Sequence, residues 1–584
     1  MTMSEMDGGQ IIASVLERQG VRQLYTLCGG HISPILVASK QLGIQIIDVR
    51  DEASAVFAAD ATARMTGIPG VAAVTAGPGL TNTITAVKNA QLAESPVVIL
   101  GGATATVLEG RGSLQDIDQV ALMQPHVKQV FTPRAVRQLV PTLEGAFRIA
   151  REGVPGPVFV EAPVDLLYPE ATVREWYIDQ GGVKEPKNLV GYATRAYLEQ
   201  HLARQFWGAP GPKAHAPEVI PMMEAGRREV EKVAGWIRGA KRPVFVVGSQ
   251  TVSVAAEVPA IAGALESIGA PVWLAGGARG LLGREHSLQY RHKRTKALKA
   301  ADVVVVFGFP LDFRLGYGRS IGSKAKLATV NLGVEALSMN RKPTLGVHAH
   351  PGRFITQLAA SLDGVDAGRW QPWFGELSER EDARNAEIVE QGKAELDGVN
   401  PIDLFLQLEE LMAEDSVLVV DGGDFVATAA YIVRPRKPLS WLDPGVFGTL
   451  GVGGGFAVAS CAVRPEAEVW LIYGDGSSGY SLAEIDTCVR RGLAPIALIG
   501  NDGSWQQIAR DQVEILGDAC GTELRRTAYH TVVEGYGGRG LLLDDPAKIG
   551  ETLREAQAIA KAGTPVAINV MIGKTDFRKG SLSM

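Results

Sequence analysis

Cysteine is scarce in this chain. Its four residues, Cys28, Cys461, Cys488 and Cys520, show no CxxC or zinc-like spacing, which argues against a disulfide framework and fits free thiols in a reducing compartment. Long apolar runs are absent too, since no stretch approaches the roughly 18 uninterrupted apolar residues of a membrane-spanning helix. Basic charge is not in excess: 58 Lys and Arg face 64 Asp and Glu, for a net charge of −6. Nucleic acids and anionic membranes, which need clustered cations, are therefore not expected partners. The stretch from Met1 to Gln10 is polar and contains glycine, with no charged-then-apolar signal pattern, so the expected location is cytoplasmic. No short solenoid-like repeat is visible.

What is present is an ordinary globular balance, 46% hydrophobic and 21% charged, over 584 residues with 68 glycines. A prior of roughly 100–200 residues per domain suggests about three domains. In residues 1–170, apolar runs at 45–49, 70–75, 95–101 and 157–161 alternate with helical stretches, the rhythm of a parallel α/β sheet. Residues 171–222 mix proline, glycine and aromatics and read as an ordered linker or inserted arm. A second α/β unit follows over 223–365, with strands expected at 244–248, 272–274, 303–308, 328–331 and 346–348. The polar run within 366–398 reads as an exposed connecting helix, and Asn400-Pro401 opens a third unit over 399–584. Its strands are expected at 417–420, 469–473, 496–499 and 566–570. The first and third units share size and rhythm, which suggests two related sheets with a third between them in sequence.

The strongest local signal follows the run 469–473, where Gly474-Asp475-Gly476-Ser477-Ser478-Gly479 leads into a helical stretch. A further strand then ends at Asn501-Asp502-Gly503. Glycines let backbone N–H groups approach a diphosphate, and an aspartate at a strand end can coordinate the hard Mg²⁺ that bridges it. Asp475, the amide oxygen of Asn501 and a backbone carbonyl near Gly503 make a chemically sensible ligand set. GDG alone is also an ordinary turn. Roughly 24 residues separate Gly476 from Asn501, the length of one helix plus a returning parallel strand, so both segments reach one sheet edge.

With that spacing the chain resembles the thiamine-diphosphate enzyme superfamily, whose diphosphate motif runs from GDG to an asparagine pair. Here the pair reads Gly500-Asn501-Asp502, so the flanking asparagine is lost. The resemblance implies three consecutive doubly wound parallel-sheet domains, pyrimidine-binding, central and diphosphate-binding. It also implies thiamine diphosphate and Mg²⁺ as cofactors. Residues 52–67 match the superfamily's glutamate helix through Ala55, Ala58, Ala59, Ala63, Arg64, Thr66 and Gly67, which maps Glu52 onto the activating acid. Such an acid protonates the aminopyrimidine and must sit in a dry pocket. Read without the resemblance, Glu52 is first of all a first-turn glutamate that complements its helix dipole.

The same resemblance places Gly29, Gly30, Thr75, Pro78 and Asn82 on the pyrimidine side. Asp424, Phe425, Gly448, Gly474, Ser477, Ser478, Ser504 and Trp505 fall on the diphosphate side, with Leu450 as the bulky prop under the bent cofactor or, alternatively, an ordinary core leucine. Relatives build each site between subunits, which implies a homotetramer, a dimer of dimers with active sites at subunit interfaces.

The blocks 27–34, 441–445 and 572–578 resemble 2-hydroxyacyl-CoA lyases of the acetolactate-synthase-like type. That implies cleavage of a 2-hydroxyacyl-CoA to formyl-CoA and an aldehyde or ketone, or the reverse acyloin condensation, with the thiazolium as electron sink. His31, Gln115, Gln506 and Gln507 are the polar residues expected near substrate. For His31 a backbone-bonded loop histidine, for Gln115 a solvated helix-start residue and for Trp505 a core aromatic remain open. In the central unit, the glycine-rich block 276–283 with Arg291, Lys293, Arg294 and Arg314 is the place for ADP or CoA phosphates, or else a solvated charged face.

Three alternatives stand beside this reading. An acetolactate synthase would carry FAD, which is not expected here because residues 501–507 depart from that family's pattern. An oxalyl-CoA-type or simple 2-ketoacid decarboxylase is the second, although the simple kind normally has adjacent histidines and none of the nine here are adjacent. A non-catalytic cofactor-binding protein is the third, and the presence of Glu52 argues against it.

Overall fold

The computed structural model describes residues 6–579. The expectation for the first five residues, and the last five of the 399–584 unit, lie outside the described residues. The chain divides into two compact units at residue 220, except that residues 64–67 group with the second.

The first unit holds one six-stranded sheet. Its strands are β1 (Gln23–Thr26), β2 (Gln45–Asp48), β3 (Gly70–Val74), β4 (Val97–Ala103), β5 (Val130–Phe131) and β6 (Val158–Pro163), in the order β2-β1-β3-β4-β6-β5. The second unit holds two sheets. One contains β7 (Pro243–Val247), β8 (Val272–Leu274), β9 (Val303–Phe307), β10 (Lys326–Asn331) and β11 (Leu345–His348), ordered β11-β10-β9-β7-β8. The other contains β12 (Val417–Asp421), β13 (Trp441–Leu442), β14 (Val469–Gly474), β15 (Ile496–Asn501), β16 (Arg539–Leu543) and β17 (Val566–Met571), ordered β13-β12-β14-β15-β17-β16.

The strand pairings in all three sheets are parallel. Central strands of such sheets are covered on both faces, which is why β3, β4, β9 and β12 are buried along their whole lengths and read as unbroken apolar runs. The first and last sheets have the same order, second, first, third, fourth, sixth, fifth, so the relation expected between those units is one of topology. In each, the direction of winding reverses between the first strand and the third. Ligands of open α/β sheets bind outside the carboxyl ends of strands at that reversal.

Four strands had no sequence signal. β5 and β13 are two residues long, β16 is a half-exposed edge strand, and β1 is four residues with a polar start, so none presents a long apolar run. Residues 171–206, expected within a linker or arm, carry the helix Leu189–Phe206, and Val173, Tyr177, Ile178, Val183 and Leu202 form a small core together with Ala105. The connecting helix spans Gln371–Gly392 and is not fully exposed, because Trp373, Leu377 and Ile388 are buried. Asn400 caps the helix Pro401–Leu411 by accepting from the Ile402 N–H at 2.9 Å, so the Asn-Pro pair does open the third unit's first helix. Among the described residues no helix is long and apolar enough to cross a membrane. The four cysteines are free thiols.

Candidate active site

At the reversal of the first sheet, β1 leads to Gly29 and Gly30, and β3 leads to Thr75 and the short helix Pro78–Thr81. These loops interlock. His31 Nδ1 lies 3.1 Å from Thr75 Oγ1, and a Cβ on Gly29 would come within 2.4 Å of the Thr75 side chain. Glu52 opens the helix Glu52–Thr66 and is only 7% exposed. Its Oε2 accepts from Asn82 Nδ2 at 3.0 Å, and its Oε1 lies against Gly79. His31, Thr75, Gly79, Glu52 and Asn82 thus form one connected set, while a Cβ added to Gly30 would meet nothing within 4 Å. Partial burial lowers the His31 pKa, which favours the neutral ring.

Two residues with no sequence signal hold this region. Gln119 is buried, accepts from the Gly77 N–H at 3.1 Å and donates to the Gly102 carbonyl at 3.1 Å. Its Nε2 also lies 3.4 Å from Glu161 Oε1, whose carboxyl is pushed up by burial first and held down by Arg134 second. Gly77 has a φ of 61°, and a Cβ there would meet the Gln115 carbonyl at 2.8 Å, so only glycine suits the turn. Gln115 itself has a φ of 63° and lines a small cavity with Glu161 and Arg134, so it is not a solvated helix-start residue.

At the reversal of the last sheet, the ends of β12 and β14 face one cavity of ≈ 430 Å³. Asp424, Phe425, Gly448, Leu450, Gly474, Asp475, Gly476, Ser477, Ser504, Trp505, Gln506 and Gln507 all line it. Lys574 and Thr575 of the tail block line it too, as does Asp502. Leu450 is half-buried on this wall rather than in the core. Ser478 is buried and donates to the Asp475 carbonyl at 2.7 Å, holding the turn from behind.

Asp475 Oδ1 accepts from the Gly476 N–H at 2.7 Å and Oδ2 from the Gly503 N–H at 2.8 Å, which draws the two halves of the motif together. Burial, and after it the neighbouring Asp502, pushes the Asp475 carboxyl up to about 6. Burial raises Asp502 as well. Asn501 is fully buried and donates to the Thr527 carbonyl at 2.9 Å and to Asn569 Oδ1 at 3.0 Å, yet its Oδ1 has no hydrogen-bond partner among the described residues. The Gly503 carbonyl accepts from the Leu524 N–H at 2.7 Å and keeps a second lone pair. Desolvated carboxylate beside an orphaned amide oxygen is the donor chemistry that a hard divalent cation satisfies. No group of three or more His, Cys, Asp or Glu placed to hold a metal ion occurs among the described residues, so a metal here would rely on amide and backbone oxygens beside Asp475.

The loop after β12 contains two aspartates with opposite fates. Asp421 is fully buried and accepts from the N–H groups of Gly451, at 3.0 Å, and Gly453, at 2.8 Å; burial pushes its carboxyl up to about 7. Its carbonyl accepts from Ser477 Oγ, so one residue ties the Leu450 loop to the GDG loop. Asp424 instead lines the cavity and is ion-paired with the nearly buried Arg510. Gln507 packs its amide against Gly423.

A Cβ on Gly476 would come within 2.4 Å of the Trp505 ring, whereas one on Gly479, in the same helix, meets nothing within 4 Å. Gly476→Ala is therefore expected to displace Trp505 into the cavity and weaken thiamine diphosphate binding about tenfold or more, with Gly479→Ala unchanged. Titration calorimetry checks it, and equal affinities in the two variants would refute the close contact.

Family models for thiamine pyrophosphate enzymes match the N-terminal TPP binding domain over residues 6–122, the central domain over 230–358 and the C-terminal TPP binding domain over 421–570. The fold and the motif loops therefore belong to a thiamine pyrophosphate enzyme. The chain is 47% identical to 2-hydroxyacyl-CoA lyase 2 of Danio rerio over 591 residues, covering 100% of this chain and 94% of that one. It is 46% identical to 2-hydroxyacyl-CoA lyase 2 of Homo sapiens over 587 residues, covering 99% and 92%. Acetolactate synthase large subunit IlvG of Mycobacterium tuberculosis is 32% identical over 572 residues, covering 97% and 96%. Within the thiamine pyrophosphate enzymes, this chain belongs to the 2-hydroxyacyl-CoA lyase 2 family.

Proposed function

We propose that the protein cleaves 2-hydroxyacyl-CoA to formyl-CoA and an aldehyde or ketone, or catalyses the reverse condensation, with thiamine diphosphate and Mg²⁺. The observation that carries this reading is the 46–47% identity to the lyases over nearly the whole chain, against 32% to the acetolactate synthase. Bound thiamine diphosphate supplies an electron sink for the bond that breaks beside the carbonyl. Glu52 holds the activating proton: Asn82 occupies its Oε2, and Oε1 is the atom left to face the aminopyrimidine. Gly29, Gly30, Thr75, Pro78 and Asn82 shape the pyrimidine side.

Asp475, Asn501 and the Gly503 carbonyl would hold Mg²⁺, supported by the orphaned Asn501 Oδ1. Gly474, Gly476, Ser477, Ser478 and Ser504 cradle the diphosphate with Asp424 and Phe425, and Leu450 with Gly448 and Trp505 supports the rest of the cofactor. His31, whose neutral form burial favours, would accept the 2-hydroxyl proton, and Gln115 and Gln507 would orient the substrate. The same reading includes a cytoplasmic homotetramer with active sites at subunit interfaces, and an adenine nucleotide, ADP, in the central unit.

Incubating the holoenzyme with formyl-CoA and a panel of aldehydes and ketones is expected to give 2-hydroxyacyl-CoA thioesters detectable by mass spectrometry. Acetolactate from pyruvate, with no thioester product, would overturn the assignment in favour of the synthase. Release of carbon dioxide from oxalyl-CoA alone would point to the decarboxylase.

A further inference from the structure

Gln119 stands between the two proton-handling groups of the proposed reaction, Glu52 and His31. It opens the short helix Gln119–Met123, which Asp118 caps by accepting from the Ala121 N–H at 2.9 Å. The side chain is 3% exposed, and its amide has one orientation open to it. Oε1 accepts from the Gly77 N–H at 3.1 Å, while Nε2 donates to the Gly102 carbonyl at 3.1 Å and lies 3.4 Å from Glu161 Oε1. A flipped amide would set its NH₂ group against the Gly77 N–H and its oxygen against a carbonyl and a carboxyl. Glu161 is itself buried, opposite Gly101 on the neighbouring strand, with Arg134 3.5 Å from its Oε2.

Each partner of the amide leads to a reacting group. The Gly77 carbonyl accepts from the N–H groups of Leu80 and Thr81, both at 3.0 Å, so Gly77 is the pivot of the helix Pro78–Thr81. That helix carries Gly79, against Glu52 Oε1, and ends at Asn82, which donates to Glu52 Oε2 at 3.0 Å. In the other direction, Gly102 lies near the end of β4, where a Cβ would come within 2.6 Å of the His31 Cβ. One amide thus spaces the turn beside Glu52 from the strand end beside His31. Gln205 is as deeply buried in the same unit, but it donates to Asp165 and Thr106, away from both.

We propose that Gln119 is a positioning residue of the reaction: by tying Gly77 to Gly102, with Glu161 fixing the sense of its amide, it holds Glu52 and His31 in register with each other. The proposal rests on the roles given to those two residues. Gln119→Glu tests it with no change of size. The new carboxylate still accepts from Gly77, but when ionised it cannot donate to Gly102 and it faces Glu161. Arg134 favours the ionised form of Glu161, so the proton shared by the two carboxyls goes to position 119. Glu109 and Asp118, the other charges acting on Glu161, push the pair further toward protonation. Once protonated, the new carboxyl donates again, and the defect shrinks as the pH falls.

The primary measurement is exchange of the thiazolium C2 proton for deuterium in full-length holoenzyme without substrate, followed by kcat and KM. Exchange and kcat in Gln119→Glu are expected about 10–10²-fold below the parent near pH ~8 and close to it near pH ~6, with KM and thiamine diphosphate affinity little changed. Gln119→Leu is expected to be slow at both. Melting of the cofactor-free protein reads the same contact without activity: a carboxyl held above its ordinary range loses stability as the pH rises, so the Tm of Gln119→Glu falls behind the parent's only at the higher pH. Gln205→Leu, which removes a buried amide elsewhere in the unit, is expected to exchange like the parent. Parent-like exchange in the Gln119 variants, a deficit in Gln119→Glu that does not change with pH, or equal slowing in Gln205→Leu would overturn the proposal. If Glu52→Gln slows exchange and the Gln119 variants do not, the positioning role alone fails; if Glu52→Gln exchanges like the parent, the role of Glu52 fails and the proposal with it.

Discussion

Glu52→Gln is expected to lower kcat by about 10²–10⁴-fold, the usual share of a positioned general acid or base. The amide keeps the size of the side chain and can still accept from Asn82, so the contact at 3.0 Å and the start of the helix Glu52–Thr66 survive. What disappears is the proton at Oε1. Thiamine diphosphate affinity should change little, because the cradle around Asp475 belongs to another sheet. Calorimetry and steady-state kinetics on the same preparation separate the two effects. Retained turnover would remove Glu52 from the activation step, and lost turnover accompanied by lost binding would make it a binding residue. Glu52→Asp is the more telling companion. It restores the acid but shortens its reach, so partial recovery over Gln assigns the loss to the proton.

The sequence was most informative where burial on both faces forces a continuous apolar run. β9 and β12 are such runs, and the apolar stretches at 303–308 and 417–420 mark both. The GDG loop was legible through its spacing: the triplet alone is an ordinary turn, and the helix and returning strand between Gly476 and Asn501 are what bring both segments to one sheet edge. Side-chain direction in the neighbouring loop was not legible. Asp421 and Asp424 sit three positions apart in one block, yet the first turns inward to Gly451 and Gly453 while the second faces the cavity beside Arg510. Nothing local distinguishes them, because their partners lie some thirty and some ninety residues away on the order set by the strand topology. Gln119 was silent for the same reason: it is defined by Gly77, Gly102 and Glu161, on separate segments. Charge alone cannot tell a guanidinium that caps buried carbonyls, as Arg291 does, from one open to a ligand.

Asp475→Ala is expected to have the largest effect on cofactor binding. Its carboxylate joins the Gly476 and Gly503 N–H groups at 2.7 and 2.8 Å and shares a desolvated wall with Asp502. Removing it takes away both a metal ligand and the link between the two halves of the motif. The loss in Mg²⁺-dependent affinity should therefore exceed the roughly 10–100-fold that removal of an outer partner of a metal site costs. Asp475→Asn is the more discriminating variant. An amide oxygen still offers one neutral donor to the cation, and its NH₂ group opposes one of the two backbone donors, so an intermediate loss is expected. Titrating thiamine diphosphate at several Mg²⁺ concentrations shows whether the loss lies in the metal. If it does, added Mg²⁺ recovers binding in the Asn variant more readily than in the Ala variant. Equal affinity for parent and Ala variants at every Mg²⁺ concentration would remove Asp475 from the metal site and leave the orphaned Asn501 oxygen without an explanation.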